Sequence, residues 1–234
     1  MSDLPQRDAR VVWHPYTQHG IESEPLPVSR AQGAWLELAD GRRLLDGISS
    51  WWATLHGHSH PALVAAISEQ AARLDHVLFA GATHEPAVQL AEELLQGGPD
   101  GLSRAFYSDD GSTAVEAAIK MVLQSWVHRD QPERRVFLAM DGAYHGDTFG
   151  AMAASDPDPF FLPFQQLMFE VRRVAATQES LRAALEDLGD RAAGFILEPL
   201  LQGAAGMRVM PVAFVQQARQ LCDQYGIPLV ADEV

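Results

Sequence analysis

Polar residues follow four apolar runs of the chain, at places where a strand is predicted to end. They are residues 108–112 (Ser-Asp-Asp-Gly-Ser), residues 141–147 (Asp-Gly-Ala-Tyr-His-Gly-Asp), Glu198 and the pair Asp232-Glu233. In a parallel sheet, ligands bind outside the carboxyl ends of the strands. We therefore expect these residues to converge at one edge of a sheet, which a purely structural protein does not need.

The turn at Gly111-Ser112 is a candidate anion site. A small-residue turn that leads into a helix leaves N–H groups unpaired at the positive end of the helix dipole, where phosphates bind. Ser112 or Thr113 could cap the helix. The alternative is a capped helix that binds nothing. Asp109 and Asp110 count against an anion, unless they point away or hydrogen-bond to the turn.

Tyr144 and Asp232 are candidates for contact with a flat, charged ring. Tyr144 could stack on such a ring, or it could be a partly buried tyrosine beside a turn. A carboxylate at the buried end of a central strand, as predicted for Asp232, requires a cation or strong donors. The protonated pyridine nitrogen of pyridoxal phosphate is such a partner. The alternative is an aspartate that caps the next turn, and Glu198 has the same two interpretations.

Two other groups are interpreted as structural. His56, His58 and His60 alternate, but they lie in a loop without cysteine or carboxylate ligands nearby, so we predict no metal site. Cys222 lies at helical spacing from Phe214, which predicts core packing.

The amino-acid composition and net charge favour some classes of protein and argue against others. The chain has 234 residues, of which 47% are hydrophobic and 21% charged, as in globular proteins with a sizeable core. The net charge of −14 argues against binding to nucleic acid. The single cysteine excludes an internal disulfide, and no signal peptide or membrane-spanning run is evident, so we expect a cytoplasmic protein. The chain contains one lysine, Lys120.

The elements that must position the polar residues alternate between strand and helix from about residue 103. This order is typical of a mostly parallel sheet covered on both faces. The predicted strands are 104–108, 134–140, 193–199 and 227–234, and the predicted helices are 112–128, 177–188 and 211–225. Before them we predict irregular chain over 1–33, a hairpin over 34–46 with a two-residue turn at Asp40-Gly41, a loop, and helices over 61–74 and 85–96.

Taken together, these segments resemble the class III, pyridoxal-phosphate-dependent aminotransferases over nearly the whole chain. The motifs that carry the resemblance are WHPYTQ, DGISSWWATLHGHSHP, THEPAVQLAEELL, YSDDGSTAVEAAIKM, YHGDTFGAM, EPLLQGAAGM and ADEV. The first two are similar to the branch that acts in biotin biosynthesis, whereas the last two are common to the class. The resemblance implies the α/β, aspartate aminotransferase-like fold (fold type I), with an N-terminal segment over 1–60 and an incomplete large cofactor-binding domain over 61–234.

The resemblance also implies how the cofactor is bound. Gly111 and Ser112 would hold the phosphate of pyridoxal 5'-phosphate, Tyr144 would stack on its ring, and Asp232 would pair with its nitrogen. Glu198 and Asp147 would support the cofactor site. In this family a serine often stands at the position of Asp110, a difference expected to tune phosphate binding and not to abolish it.

The resemblance further implies the substrates and partners. Tyr16, Trp51 and Tyr144 would contact S-adenosylmethionine, the amino donor, and then 8-amino-7-oxononanoate, the acceptor, in a ping-pong exchange. The whole enzyme would be a homodimer.

The catalytic lysine of the family has no counterpart among these residues. Lys120 lies eight residues into the predicted helix, about 12 Å along its axis and away from the cofactor ring, so we reject it as a substitute. We therefore expect the chain alone to be inactive. We also expect it to be poorly stable, because the ADEV strand, central in the family's sheet, would have an exposed edge. The alternatives are another class III enzyme acting on an ω-amino acid, or a non-catalytic fragment.

Overall fold

The computed structural model describes residues 4–18, 20–21, 24–156 and 161–234. The chain divides into two compact units, Met1–Gly97 and Gly98–Val234. The division at residue 60, which concerns the domains of a complete enzyme, stays a prediction. Among the described residues, no helix combines the length and apolar character needed to cross a membrane.

The first unit contains a small antiparallel sheet and several helices. Strands β1 (Val28–Gln32), β2 (Trp35–Leu38) and β3 (Arg43–Leu45) pair in that order. The helices are α1 (Leu4–Val11), the single turn α2 (Ser49–Trp52), α3 (Pro61–Arg73) and α4 (Glu85–Gly97). The prediction of irregular chain over 1–33 is therefore wrong at α1 and β1. Strand β1 pairs with the edge of β2 that β3 leaves free. Its own sequence, VSRAQ, does not indicate this pairing.

The β2–β3 hairpin is confirmed, but its turn is longer than predicted. The Leu38 amide donates to the Arg42 carbonyl at 2.9 Å, so residues 39–41 form a three-residue connection. Gly41 has a φ of 86° and donates to the Leu38 carbonyl at 3.0 Å. A glycine with positive φ after a tight turn is typical of three-residue hairpins.

The second unit is built on a four-stranded parallel sheet. Its strands are β4 (Val136–Met140), β5 (Val171–Val174), β6 (Ala192–Leu197) and β9 (Leu229–Ala231), in the order β5-β4-β6-β9. The short strands β7 (Leu201–Gln202) and β8 (Arg208–Val209) form a separate antiparallel pair. The helices are α5 (Gly111–His128), α6 (Phe149–Ala154), α7 (Gln178–Leu188) and α8 (Val212–Tyr225), with 3-10 turns at Leu162–Leu167 and Gly189–Arg191. The predicted parallel α/β architecture is confirmed.

The core of the second unit lies on both faces of β4 and β6. Every residue of these two strands is buried, and Phe137 and Phe195 are fully so. Trp126 of α5 packs in this core, and its Nε1 donates to the Ala193 carbonyl at 2.7 Å. Each such buried apolar side chain contributes about 1.5–3 kcal/mol relative to an exposed one.

The predicted strand 104–108 is wrong in this structure. The segment has no strand partner among the described residues, and the side chain of Phe106 is 68% exposed. A strand requires a neighbouring ladder to satisfy its backbone. Strand β9 is also shorter than the predicted 227–234, and β5 was not predicted because two of its four residues, Arg172 and Arg173, hide the apolar pattern of an edge strand.

Candidate functional site

Helix α5 begins with a capping box formed by Asp110 and Thr113. The Asp110 Oδ1 accepts from the Thr113 amide at 2.8 Å, and the Asp110 amide donates to the Thr113 Oγ1 at 3.0 Å. The helix is therefore capped by Asp110, whereas Ser112 or Thr113 was predicted. The Gly111 and Ser112 amides have no acceptor among the described residues. They remain able to bind an anion at the positive end of the helix dipole.

Two glycines let the chain approach closely around this helix end. A Cβ on Gly111 would lie 2.8 Å from the Val234 Cγ1. Gly146 has a φ of +119°, and a Cβ there would lie 2.5 Å from the Ser112 Oγ. The Ser112 Oγ donates to the Thr148 Oγ1 and accepts from the Thr148 amide, both at 2.9 Å. The first turn of α5 is thus fixed against the loop that follows β4.

Tyr144 in that loop is held at both ends. Its amide donates to the Glu198 Oε1 at 3.1 Å, and its hydroxyl donates to the Asp147 Oδ1 at 3.0 Å. The Glu198 Oε2 accepts from the Gly203 amide at 2.9 Å. The ring lies nearly parallel to that of Phe161, with centroids 6.5 Å apart, and Tyr144 is 38% exposed. Glu198 and Asp147 therefore orient an aromatic ring that a ligand can reach.

A buried hydrogen bond joins the same loop to the end of β9. The Asp232 Oδ2 lies 2.7 Å from the His145 Nδ1, and the two side chains are 6% and 0% exposed. Because a carboxylate only accepts, the proton of this bond belongs to the histidine nitrogen. The other Asp232 oxygen accepts from the Val234 amide at 3.1 Å. The requirement for a buried carboxylate to have strong donors is met.

Sequence reasoning missed the part played by His145 and Thr148. Both lie in the motif that contains Tyr144, directly after β4, and this position was the available signal. The His145 amide donates to the Ser155 Oγ at 2.8 Å, which fixes its backbone. Its Nε2 is buried and has no hydrogen-bond partner among the described residues. Buried polar atoms are usually paired, so this nitrogen is available to a water molecule or a ligand.

The structure brings together the predicted cofactor residues, all of which belong to the second unit. The loop that follows β4 contacts three other parts of the chain. Its Thr148 contacts Ser112, its Tyr144 contacts Glu198, and its His145 contacts Asp232. Lys120 is exposed on α5.

The two predicted substrate residues outside this group belong to the first unit and lie beside each other. The rings of Tyr16 and Trp51 have centroids 5.4 Å apart and are tilted by 33°. The two residues are 63% and 65% exposed, so their rings can contact a ligand.

Comparisons with known proteins place the chain in a family. The profile of the aminotransferase class-III family matches residues 16–234. Adenosylmethionine-8-amino-7-oxononanoate aminotransferase of Synechococcus elongatus is 49% identical, in an alignment that covers 95% of this chain and 56% of that protein. The protein of the same name from Geobacter sulfurreducens is 38% identical, covering 97% and 55%. The chain thus spans about half the length of these relatives.

Solved structures give the same result. The crystal structure of adenosylmethionine-8-amino-7-oxononanoate aminotransferase from Methanocaldococcus jannaschii has a TM-score of 0.94 and 33% identity, covering 99% of this chain and 54% of that one. The omega transaminase of Pseudomonas jessenii in complex with PMP has a TM-score of 0.90 and 25% identity, covering 98% and 56%. The chain belongs to the class III aminotransferases.

Proposed function

We propose that this chain is part of an enzyme that transfers an amino group from S-adenosylmethionine to 8-amino-7-oxononanoate, giving 7,8-diaminononanoate in biotin biosynthesis. The observation that carries the proposal is the meeting of the α5 end, Tyr144 and Asp232 around one loop, in a chain whose relatives bear the name of this reaction.

Pyridoxal 5'-phosphate is the proposed cofactor, and Gly111 and Ser112 bind its phosphate. Their two amides supply donors at the positive end of a helix dipole. A Cβ at Gly111 would collide with the Val234 side chain, so packing requires a glycine at this position whether or not an anion binds. Asp110 uses one carboxylate oxygen to cap the helix. This hydrogen bond to the turn is the arrangement in which we expect the Asp110 charge to be tolerated beside an anion.

Tyr144 stacks on the cofactor ring, and Asp232 accepts from the ring nitrogen. When bound, the cofactor supplies an electron sink that stabilises a carbanion at the substrate carbon. Asp232 holds the proton on that nitrogen, and the hydrogen bond from His145 orients its carboxylate. Glu198 and Asp147 act through Tyr144, which they orient.

The reaction also requires a lysine amine, and we propose that it lies outside these 234 residues in the same gene product. The single lysine here, Lys120, is exposed, and the relatives are nearly twice as long. The isolated chain should therefore show no turnover. Measurable turnover by the purified chain would contradict this assignment.

Tyr16, Trp51 and Tyr144 are the proposed substrate contacts. Aromatic rings can contact both the adenine ring of the donor and the aliphatic chain of the acceptor. A homodimer and a cytoplasmic location complete the proposal.

A donor assay on the full-length gene product, loaded with cofactor, tests the reaction. We expect diamine formation from 8-amino-7-oxononanoate with S-adenosylmethionine, and none with 4-aminobutyrate or ornithine. The likeness to the omega transaminase of Pseudomonas jessenii makes an ω-amino-acid enzyme the second candidate. Turnover with 4-aminobutyrate or ornithine alone would favour it, and no turnover with any donor would favour a non-catalytic protein. A lysine donor is the control for donor choice within the biotin branch.

A further inference from the structure

The turn α2 has an unusual backbone. Its four residues, Ser49, Ser50, Trp51 and Trp52, have φ values of 49°, 47°, 62° and 68°. Residues with a Cβ rarely adopt this left-handed conformation, and when they do it is usually at single positions. Four in succession persist only if the surroundings hold them. What holds them is visible in the side chains around the turn.

A single carboxylate, that of Asp46, supports the turn. Its Oδ1 accepts from the Ser50 amide at 2.9 Å, and its Oδ2 accepts from the Ser50 Oγ at 2.8 Å and from the His58 Nε2 at 2.7 Å. The Asp46 and His58 side chains are 5% and 16% exposed. The bond from the Ser50 amide, followed by that from His58, lowers the pKa of Asp46 to about 2. The carboxylate is therefore ionised at neutral pH and accepts three bonds.

Asp46 and His58 are also anchored through their backbones to the β1–β2 connection. The Asp46 amide donates to the Ala34 carbonyl at 2.9 Å. His58 and Gly33 exchange two backbone bonds of 2.8 and 2.9 Å. Gly57 permits this approach, since a Cβ there would lie 3.0 Å from the Gly33 Cα. The loop 46–58 is thus closed at its base by the sheet, and the hydrogen bond between Asp46 and His58 crosslinks it.

The supported turn presents two large aromatic residues to the outside. Trp51 and Trp52 are 65% and 51% exposed, and the Trp51 ring lies 5.4 Å from that of Tyr16. Exposed tryptophans on a strained backbone do not stabilise a fold by burial. The strained turn fixes the position of these two rings, and their exposed faces are available to a ligand.

We propose that Asp46 and His58 are positioning residues, which hold the left-handed turn so that Trp51 and Tyr16 form a preformed aromatic surface for the substrates. The inference rests on the proposed function in one respect, the contact between Trp51 and the substrates. Neither residue touches substrate in this scheme. Asp46 acts through the Ser50 backbone, and His58 acts through Asp46.

The test uses the full-length gene product loaded with pyridoxal phosphate and labelled with 5-fluorotryptophan. Asp46→Ala removes all three acceptor contacts, and His58→Ala removes one. His58→Gln is the conservative variant, because its amide can still donate to the Asp46 Oδ2. His56→Ala is the matched control, since His56 lies in the same loop and its recorded ring contact is with His60, 6.0 Å away.

We expect Asp46→Ala to raise KM for both substrates at least about tenfold, the effect of losing one charge-assisted hydrogen bond, with a smaller change in kcat. The fluorine resonance of Trp51, assigned with Trp51→Phe, should shift or broaden. His58→Ala should act in the same direction, and His58→Gln should restore most of the effect. His56→Ala should leave both KM and the resonance unchanged. The resonances of Trp35 in β2 and of buried Trp126 report whether the first and the second unit of each variant are folded.

Unchanged KM and an unchanged Trp51 resonance in both Asp46→Ala and His58→Ala would overturn the inference. So would equal effects of His58→Ala and His56→Ala. If Asp46→Ala fails to fold, the comparison of His58→Ala with His58→Gln and His56→Ala tests the inference. If the unmodified enzyme turns over neither substrate, the proposed function fails, whereas the Trp51 resonance still tests whether the two residues hold the turn.

Discussion

Gly146→Ala should lower the stability of the cofactor site far more than an alanine at another glycine with positive φ. Gly146 has a φ of +119°, and an added Cβ would lie 2.5 Å from the Ser112 Oγ. The matched control is Gly206→Ala, in the same unit, where φ is +79° and nothing lies within 4 Å of the added Cβ. Both variants place an alanine at a positive φ, which costs stability. Only Gly146→Ala also disturbs Ser112.

The magnitudes follow from these contacts. An alanine at strained positive φ costs about 1–3 kcal/mol. Displacing Ser112 also breaks its two hydrogen bonds to Thr148, each contributing about 1 kcal/mol. We therefore expect a loss of about 3–5 kcal/mol in the free energy of unfolding for Gly146→Ala and about 1–3 kcal/mol for Gly206→Ala. The affinity for pyridoxal phosphate should fall in the first variant alone.

Urea unfolding of the full-length protein and a spectroscopic titration with pyridoxal phosphate measure these two quantities. The reasoning would be refuted if the two variants lost the same stability within about 0.5 kcal/mol, a difference within the usual scatter between independent sites. It would equally be refuted if Gly146→Ala bound the cofactor as tightly as Gly206→Ala.

Three further predictions concern Asp232, Cys222 and Asp46. Asp232→Asn should slow the half-reaction with S-adenosylmethionine about 10²- to 10³-fold, the cost of losing one preorganised electrostatic contact, as measured in single turnovers, and an unchanged rate would contradict its pairing with the cofactor nitrogen. Burial raises the pKa of the Cys222 thiol to about 12, so iodoacetamide at pH 8 should modify the denatured but not the native protein, as seen by mass spectrometry. The Ser50 amide and His58 lower the pKa of Asp46 to about 2, so its stabilising effect is complete above the ordinary value near 3.8 and is lost as the pH falls through 2. The stability difference between the unmodified protein and Asp46→Asn should therefore shrink between pH 4 and pH 2, and a constant difference would argue against the Asp46 contacts.

The parallel sheet was predictable because its central strands are continuous apolar runs. Strands β4 and β6 are buried along their whole length, and a strand covered on both faces leaves that signal in the sequence. Strand β5 lacks it, since it is an edge strand with two arginines. The segment 104–108 has the composition of a strand without a ladder partner among the described residues. Whether a segment forms a strand depends on a neighbouring strand to pair with, and the composition of the segment alone does not show that neighbour.

Single candidate residues could be predicted from the sequence, whereas contacts between residues far apart in the sequence could not. Gly111, Tyr144 and Asp232 are recognisable from their position after apolar runs. The bond between His145 and Asp232 joins residues 87 positions apart, so no local pattern announces it. The left-handed turn at Ser49–Trp52 was equally hidden, because it contains no glycine and depends on a carboxylate outside it.

The most direct test of the proposed function is the intact mass of the protein made by its source organism, after incubation with pyridoxal phosphate and reduction with borohydride. We expect a mass well above 25.6 kDa that carries a pyridoxyl adduct on a lysine outside these 234 residues. A mass of 25.6 kDa without an adduct would contradict the assignment of this chain to a working aminotransferase.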